Sequence, residues 1–304
     1  MPMTDDAVAR FIYARHGARA SRPTALGAGA WSRAYAFTLD GQPVVARFGA
    51  YASDFAKDRI MGGFSCRDLP IPRVLELGEA PEGHFVISER ASGVMLDDLD
   101  ESGMRAVLPS LLRALDAVRR IDVSGCQGFG GWGPDGHAGH PSWREALLGV
   151  AGDRLPGWRA ALENSATGAG PYDAGFARLS ELVADIPDVK QVIHQDLLAR
   201  NVLVQGAMLS AVLDWGNSMY GDALYDAAWL IYWWPWYPAW ARIDIQAELH
   251  RHWAASGPLP DDLAHRLHCY QLRIGLDHMV YNAFTGRTAA LDRNTRQTLA
   301  LMAQ

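Results

Sequence analysis

The sequence predicts an α+β protein, with a small antiparallel sheet in front and a larger, mostly helical region behind it. Three observations carry this. Two alternating stretches, Ala34–Leu39 and Pro43–Phe48, flank Asp40-Gly41, a residue pair suited to a tight hairpin turn. After Gly93 the apolar residues change from a period of two to spacings of three and four. No internal repeat, low-complexity tract or flexible linker divides the chain, so its 304 residues make one large domain or two smaller ones.

The elements follow in order. Thr4 is placed to cap a helix whose apolar residues Ala7, Val8, Phe11 and Ile12 share a face, and Gly17 stops it. The hairpin around Asp40-Gly41 comes next, then a helix over about 54–64, ended by Leu69-Pro70-Ile71-Pro72. Val74–Gly78 and Phe85–Ser88 read as strands around the turn Pro81-Glu82-Gly83. Val107, Leu111, Leu112, Leu115 and Val118 mark a helix over 101–121, and a glycine-rich loop spans Gly125–Gly139. Helices are predicted near 143–150, 172–185, 223–234, 241–254 and 260–283, with short strands at 191–193, 201–205 and 209–213. The natural division is a front of residues 1–91, a connector near 88–93 and a back of residues 92–304.

Composition narrows the function. The net charge of −6 argues against a nucleic-acid binder, which would show a basic face. The acidic start Met1-Pro2-Met3-Thr4-Asp5-Asp6 does not read as a signal peptide, because no apolar segment follows it. The most apolar run, Ala223–Trp240, is broken by Asp226, Pro235 and Pro238 and does not read as a membrane span. Cys66, Cys126 and Cys269 are odd in number and far apart, which fits a reducing compartment. The expectation is a cytoplasmic monomer without membrane or nucleic-acid partners.

The chemistry concentrates in His194-Gln195-Asp196, Asn201 and Asp214. Phosphoryl transfer needs a carboxylate for the acceptor hydroxyl and hard oxygen donors for Mg²⁺ on the phosphates. Asp196, at the end of a β-branched run, suits the base. Asn201 and Asp214 flank two short apolar strands that a turn at Gln205-Gly206 would fold back together. A turn-forming Asp beside a buried His is the bland reading of H-x-D alone, and the ordered set of three outweighs it. His194 reads as a brace, and Arg200 as a neighbour of phosphate or of a carboxylate.

In the front, Leu26-Gly27-Ala28-Gly29-Ala30-Trp31-Ser32 is a small-residue loop whose backbone N–H groups could meet phosphates, with Gly27, Gly29 and Ser32 as its candidates. Arg47, in Val-Val-Ala-Arg-Phe, stands where a phosphate-binding cation is expected. Asp58 on the following helix is its candidate partner and Asp54 the runner-up, with a solvated helix face competing. Behind Asp214 lies a cluster of Trp229, Tyr232, Trp233, Trp234, Trp236, Tyr237 and Trp240. Several of these rings must be core, while others would line a pocket for a sugar or a cation. Asp226 reads as bracing the catalytic loop, and Asp222 stays ambiguous.

At this point the chain resembles the aminoglycoside phosphotransferase family. The resemblance rests on His194-Gln195-Asp196-Leu197-Leu198-Ala199-Arg200-Asn201, Val212-Leu213-Asp214-Trp215-Gly216 and Gly221-Asp222-Ala223-Leu224-Tyr225-Asp226. Further segments are similar to the hygromycin B phosphotransferases within it. They are Phe55-Ala56-Lys57-Asp58-Arg59, Leu69-Pro70-Ile71-Pro72, Gly128-Phe129-Gly130 with Gly133-Pro134, Trp143-Arg144, Trp234-Pro235-Trp236 and Leu272-Arg273-Ile274-Gly275-Leu276-Asp277.

The resemblance implies a two-lobed protein-kinase-like fold, with 1–91 as nucleotide lobe and 92–304 as catalytic lobe. It implies ATP or GTP as cofactor with Mg²⁺, and a hinge at Ser88–Ala91 in which Glu89 and Ala91 meet the base through backbone. It makes Asp196 the base and Asn201 and Asp214 the metal ligands. The acceptor would be a cationic aminoglycoside, with transfer to the 4-hydroxyl of hygromycin B and resistance as the outcome. Asn217, Trp233, Trp234, Trp236, Asp277 and Tyr281 join Asp196 as candidate substrate contacts. The usual lysine of the family is Arg47 here, as in the hygromycin B phosphotransferases, and its usual Glu partner is also replaced. A kinase for a sugar, an amino alcohol or another antibiotic shares the core motif. A non-catalytic nucleotide-binding regulator is the rival from another class.

Overall fold

The computed structural model describes residues 3–29, 32–149 and 155–303. Helix α1 (Asp5–His16) starts where the Thr4 hydroxyl accepts the Ala7 N–H at 3.3 Å and ends at Gly17, whose φ is 58°. Asp5 and Asp6 in its first turn and Arg15 and His16 in its last complement the helix dipole. Strands β1 (Thr24–Ala28), β2 (Ser32–Leu39) and β3 (Gln42–Gly49) precede α2 (Ala52–Gly62), and β4 (Val74–Ala80) and β5 (Gly83–Glu89) follow it. The five strands form an antiparallel sheet in the order β1-β2-β3-β5-β4. Leu39 pairs with Gln42, and Asp40 and Gly41 both take positive φ, the tight hairpin their sequence announces.

Alternation on β3 sorts its side chains. Val44, Ala46 and Phe48 are buried against Tyr35, Phe37, Phe85 and Ile87, with Val8 and Ile12 of α1 in the same cluster. Arg47 therefore projects from the other face of the sheet.

Beyond β5 lie β6 (Val94–Met95), α3 (Glu101–Arg119), β7 (Phe129–Trp132), β8 (Ala138–His140), α4 (Trp143–Leu148), α5 (Trp158–Glu163) and α6 (Gly170–Leu182). Then come β9 (Gln191–Ile193), β10 (Val202–Gln205), β11 (Met208–Val212) and β12 (Met219–Gly221). Helices α7 (Leu224–Trp233), α8 (Ile245–Ala254), α9 (Leu263–Phe284) and α10 (Thr288–Met302) complete the chain. Two compact units result. The first holds residues 1–114, 133–135 and 198–218, and the second holds 115–132, 136–197 and 219–304. Strands β11-β10-β6 make a small sheet in the first, and β8-β7-β12-β9 one in the second. Among the described residues no helix is long and apolar enough to cross a membrane.

The predicted class is the observed one, with local corrections. The segment read as a loop at Leu26–Ser32 is partly strand. Thr24–Ala28 pairs with β2 through a bulge near Gly27, and Ala30 and Trp31 lie outside the described residues. The glycine-rich stretch 125–139 also contains strands, β7 and β8. Gly128 has a φ of 73°, and a Cβ there would stand 2.2 Å from the Ala138 carbonyl oxygen, so this glycine serves close strand approach rather than looseness. Strands β6 and β12 and helix α5 are too short for periodicity to reveal. Helix α10 has another reason: its buried face includes Asn294, Thr295 and Thr298, so it carries no continuous apolar stripe. Asn294 Nδ2 donates to the Gly275 carbonyl at 2.9 Å, and Tyr232 OH donates to Asn294 Oδ1. The helix start predicted near 241 moves to Ile245, because Asp244 caps it by accepting the Ala247 N–H at 3.0 Å.

Candidate functional site

In the first unit, the hairpin β10–β11 does what the strand pattern around Gln205-Gly206 suggests. Val202 pairs with Val212, and the Leu213 N–H donates to the Asn201 carbonyl at 2.8 Å. Asn201 and Asp214 thus sit at one end of one hairpin. Asp214 takes a left-handed backbone, φ 62° and ψ 68°, a conformation that costs a non-glycine residue about 1–3 kcal/mol and persists only where the surroundings impose it. Its carboxylate lies 3.6 Å from Arg47 Nη1.

Asp58 on α2 imposes part of that geometry. One carboxylate oxygen pairs with Arg47, and the other accepts the Trp215 N–H at 2.9 Å. Burial pushes the Asp58 carboxyl above the usual carboxylate range, against the pull of Arg47 and of that N–H. The Arg47 guanidinium also lies 5.4 Å from the centre of the Phe55 ring. Of the two carboxylates the sequence offered, Asp58 makes the hydrogen-bonded pair with Arg47. Lys57, to which sequence analysis assigned no role, is buried with Nζ donating to the carbonyls of Gly216 at 2.9 Å and Ser218 at 3.1 Å. Its signal was available as spacing: Asp54, Lys57 and Asp58 share a helix face.

Among the described residues no group of three or more His, Cys, Asp or Glu side chains could hold a metal ion. The pair Asn201 and Asp214 still suits Mg²⁺, which takes one or two hard protein oxygens and keeps water and phosphate in its other positions. The remaining nucleotide candidates stand as follows. Gly27 and Gly29 are exposed near the β1–β2 connection, where the Gly29 N–H donates to the Ser32 carbonyl at 2.8 Å. Glu89 closes β5 opposite Val44 and pairs with Arg73 at 3.0 Å, while Ala91 lies just past the strand. Arg200 meets a carboxylate, Asp97, at 3.3 Å.

In the second unit, Asp196 ends the turn after β9. Its N–H donates to Nδ1 of the fully buried His194 at 3.2 Å. Asp226, on the first turn of α7, accepts the N–H groups of His194 and Gln195, both at 2.8 Å. Burial pushes the Asp226 carboxyl up to about 7, with the two backbone bonds opposing the shift. Asp226 therefore braces the backbone that leads to Asp196, as expected of it. Asp222 proves structural as well: Arg266 Nε and Tyr270 OH donate to its Oδ2 at 2.7 and 2.6 Å.

The aromatic cluster divides. Trp234 is only 4% exposed, its indole N–H donates to the Trp240 carbonyl at 3.3 Å, and its ring packs on Trp240. The expected substrate contact at Trp234 is corrected to core packing, because both its face and its N–H are already used. Trp233 and Trp236 are half-buried, their ring centres 5.0 Å apart. The Trp236 N–H donates to Gln297 Oε1 at 2.8 Å, with Arg293 over its ring. His278 sits against Trp229 and Trp233, and burial, reinforced by Arg273 and Arg287, pushes its imidazole down to about 3. Asp277 pairs with the buried Arg273 one turn earlier on α9, which offsets its charge locally. Tyr281 lies under Arg287, and Asn217, in the first unit, is exposed.

Comparison with known proteins agrees with this geometry. The model of the "Phosphotransferase enzyme family" matches residues 22–259. The chain is 34% identical over 267 residues to the hygromycin-B 4-O-kinase of Escherichia coli, covering 86% of this chain and 74% of that protein. The crystal structure of aminoglycoside phosphotransferase APH(4)-Ia superposes with a TM-score of 0.86 at 30% identity, covering 98% of both chains. A thermostable mutant of APH(4)-Ia, solved in ternary complex with AMP-PNP and hygromycin B, superposes with a TM-score of 0.85 at 30% identity over 97% of each chain. With the family match spanning most of the sequence and these likenesses spanning nearly all of the fold, the chain belongs to the phosphotransferase enzyme family, with the fold of the aminoglycoside phosphotransferases.

Proposed function

We propose that the protein transfers the γ-phosphoryl group of ATP to a hydroxyl of an aminocyclitol antibiotic, the 4-hydroxyl of hygromycin B, and so confers resistance to it. The observation that carries the reading is the 34% identity to a hygromycin-B 4-O-kinase in a chain whose sequence retains Asp196, Asn201 and Asp214 in the motif order. GTP is the alternative donor. The division into a nucleotide-binding region, 1–91, and a catalytic region, 92–304, with a hinge at 88–93, is part of the same reading. So is action as a cytoplasmic monomer; the three cysteines, all free thiols, suit a reducing compartment.

The roles follow from chemistry. The Asp196 carboxylate takes the proton of the acceptor hydroxyl as its oxygen bonds to the γ-phosphorus and the bond to the nucleoside diphosphate breaks. Asn201 and Asp214 would hold Mg²⁺, which neutralises charge on the phosphate oxygens. Arg47, braced by Asp58, supplies a fixed cation to the phosphates, and the backbone at Gly27, Gly29 and Ser32 supplies donors. Glu89 and Ala91 offer backbone groups to the base. Trp233, Trp236, Tyr281, Asn217 and Asp277 are the side chains proposed for the polyhydroxylated, cationic acceptor, with aromatic faces suited to its rings. A phosphate on one hydroxyl adds negative charge to a drug whose target is RNA, and repulsion weakens that binding.

The test is nucleotide consumption with hygromycin B, kanamycin, gentamicin and no acceptor, followed by mass spectrometry. A gain of one phosphate on hygromycin B supports the proposal. Transfer to a different acceptor reassigns the substrate, and absence of transfer with nucleotide still bound removes the catalytic reading.

A further inference from the structure

We propose that Lys57 is a positioning residue for Asp214: its buried ammonium fixes the turn that follows this carboxylate and thereby sets how tightly the enzyme holds a divalent cation beside nucleotide. The inference rests on the proposed role of Asp214 as a Mg²⁺ ligand.

Helix α2 presents Asp54, Lys57 and Asp58 on one face, and all three meet the segment Trp215–Ser218. Asp58 accepts the Trp215 N–H at 2.9 Å. Lys57 Nζ donates to the Gly216 and Ser218 carbonyls at 2.9 and 3.1 Å. The Asp54 side chain lies so close that a Cβ on Gly216 would stand 2.9 Å from its Cβ and Cγ. The turn is also closed from within, by Ser218 N–H and Oγ donating to the Trp215 carbonyl at 2.9 and 2.6 Å. Trp215 and Ser218 are fully buried. The backbone of Trp215, Gly216 and Ser218 is thus held directly after Asp214, while Asp214 itself stands in the left-handed region.

A lysine 2% exposed is unusual, because ammonium groups are almost never fully buried unless paired. Here the charge converges two carbonyls, of residues 216 and 218, on one point. An apolar side chain of the same length could fill the space but could not draw them together. Asp58 extends the same helix face to Arg47, so a shift of α2 would move the phosphate-directed cation and the turn behind Asp214 together.

The experiment uses the full chain as wild type, Lys57→Met, Lys57→Gln and Lys57→Arg. Mn²⁺ affinity with ADP present is read by electron paramagnetic resonance, without turnover. The Mg²⁺ concentration for half-maximal transfer is read at saturating nucleotide and acceptor, and ADP affinity is measured in chelator. Lys57→Met is expected to weaken Mn²⁺ binding and raise the half-maximal Mg²⁺ concentration by about tenfold or more, with metal-free ADP affinity within about twofold of wild type. Lys57→Arg is expected to recover part of the loss. Should Lys57→Met not fold, Lys57→Gln, which keeps an amide donor, is expected to show a smaller loss in the same direction. Folded variants with wild-type metal dependence would overturn the proposal, as would equal losses in metal-free ADP binding, which mark a general structural role. Wild type that binds no Mn²⁺ with ADP would instead remove the metal assignment of Asn201 and Asp214, a result visible before any variant is made.

Discussion

The carboxylate of Asp226 accepts the backbone N–H of His194 across thirty-two residues of sequence, and the next N–H, of Gln195, goes to its other oxygen. The strand end carrying Asp196 is therefore pinned to the first turn of α7 by one buried acid. Replacing it with Asn turns one acceptor into a donor facing an N–H. Asp226→Asn is expected to lose about 1–3 kcal/mol of stability, the range for an unsatisfied buried polar group, and to lower kcat more than the nucleotide KM. Unfolding curves and steady-state kinetics check both.

The same acid predicts a pH effect. Its folded pKa, about 7, lies above the ordinary value of 3.8 because of burial. The folded state thus holds this proton more tightly than the unfolded chain does. The stabilising contribution is fully present below pH 3.8 and is lost as pH rises through about 7. Between pH 5 and 8 the wild-type Tm should fall relative to that of Asp226→Asn. Parallel Tm profiles for the two proteins would contradict this.

Asp196→Ala is expected to lower transfer by about 10²–10⁴, the usual worth of a positioned general base, while the nucleotide dissociation constant stays near wild type. Single-turnover transfer and calorimetric titration with nucleotide separate the two quantities. A variant with full activity would exclude Asp196 as the base.

Asp58→Ala strips Arg47 of its hydrogen-bonded partner and leaves the Trp215 N–H without its acceptor. Removing one member of a largely buried pair costs about 3–5 kcal/mol. The expected result is a marked fall in Tm with a raised nucleotide KM, and Asp54→Ala should affect nucleotide KM less. Equal effects of the two substitutions would argue against the observed pairing.

The two tryptophans of Trp234-Pro235-Trp236 should separate. Trp234→Ala empties core space and is expected to cost about 3–5 kcal/mol. Trp236→Ala should leave the fold nearer intact and raise the acceptor KM. Thermal melts beside acceptor kinetics test this, and the reverse pattern would return Trp234 to the pocket.

Much of this was legible in the sequence because the signals are local. Thr4 and Gly17 bracket α1, Asp40-Gly41 makes the hairpin, and the apolar runs around Gln205-Gly206 fold Asn201 toward Asp214. What stayed hidden depends on distant partners. Whether Trp234 is wall or pocket is decided by Trp240, and Asp222 looked open until Arg266 and Tyr270 closed on it. Lys57 lies in a segment that carries the resemblance, but its role depends on two carbonyls over 150 residues further along. Helix α10 escaped because its buried face is polar, matched to Gly275 and Tyr232 rather than to an oily groove.

The way the chain is shared between the two units has a consequence for biosynthesis. The first unit contains residues 198–218, which leave the ribosome only after the stretch from 136 to 197 has emerged. Strand β6 must wait for β10, and α2 must wait for the turn that Lys57 and Asp58 will grip. The amino-terminal sheet can form early, yet the proposed metal pair cannot exist until more than two thirds of the protein has been translated. A nascent chain stalled before residue 201 should carry the folded sheet without a divalent-ion site, and a gene split near the connector at 88–93 should yield a carboxy-terminal half whose Asn201–Asp214 hairpin gains its bracing from Lys57 and Asp58 only on reassembly.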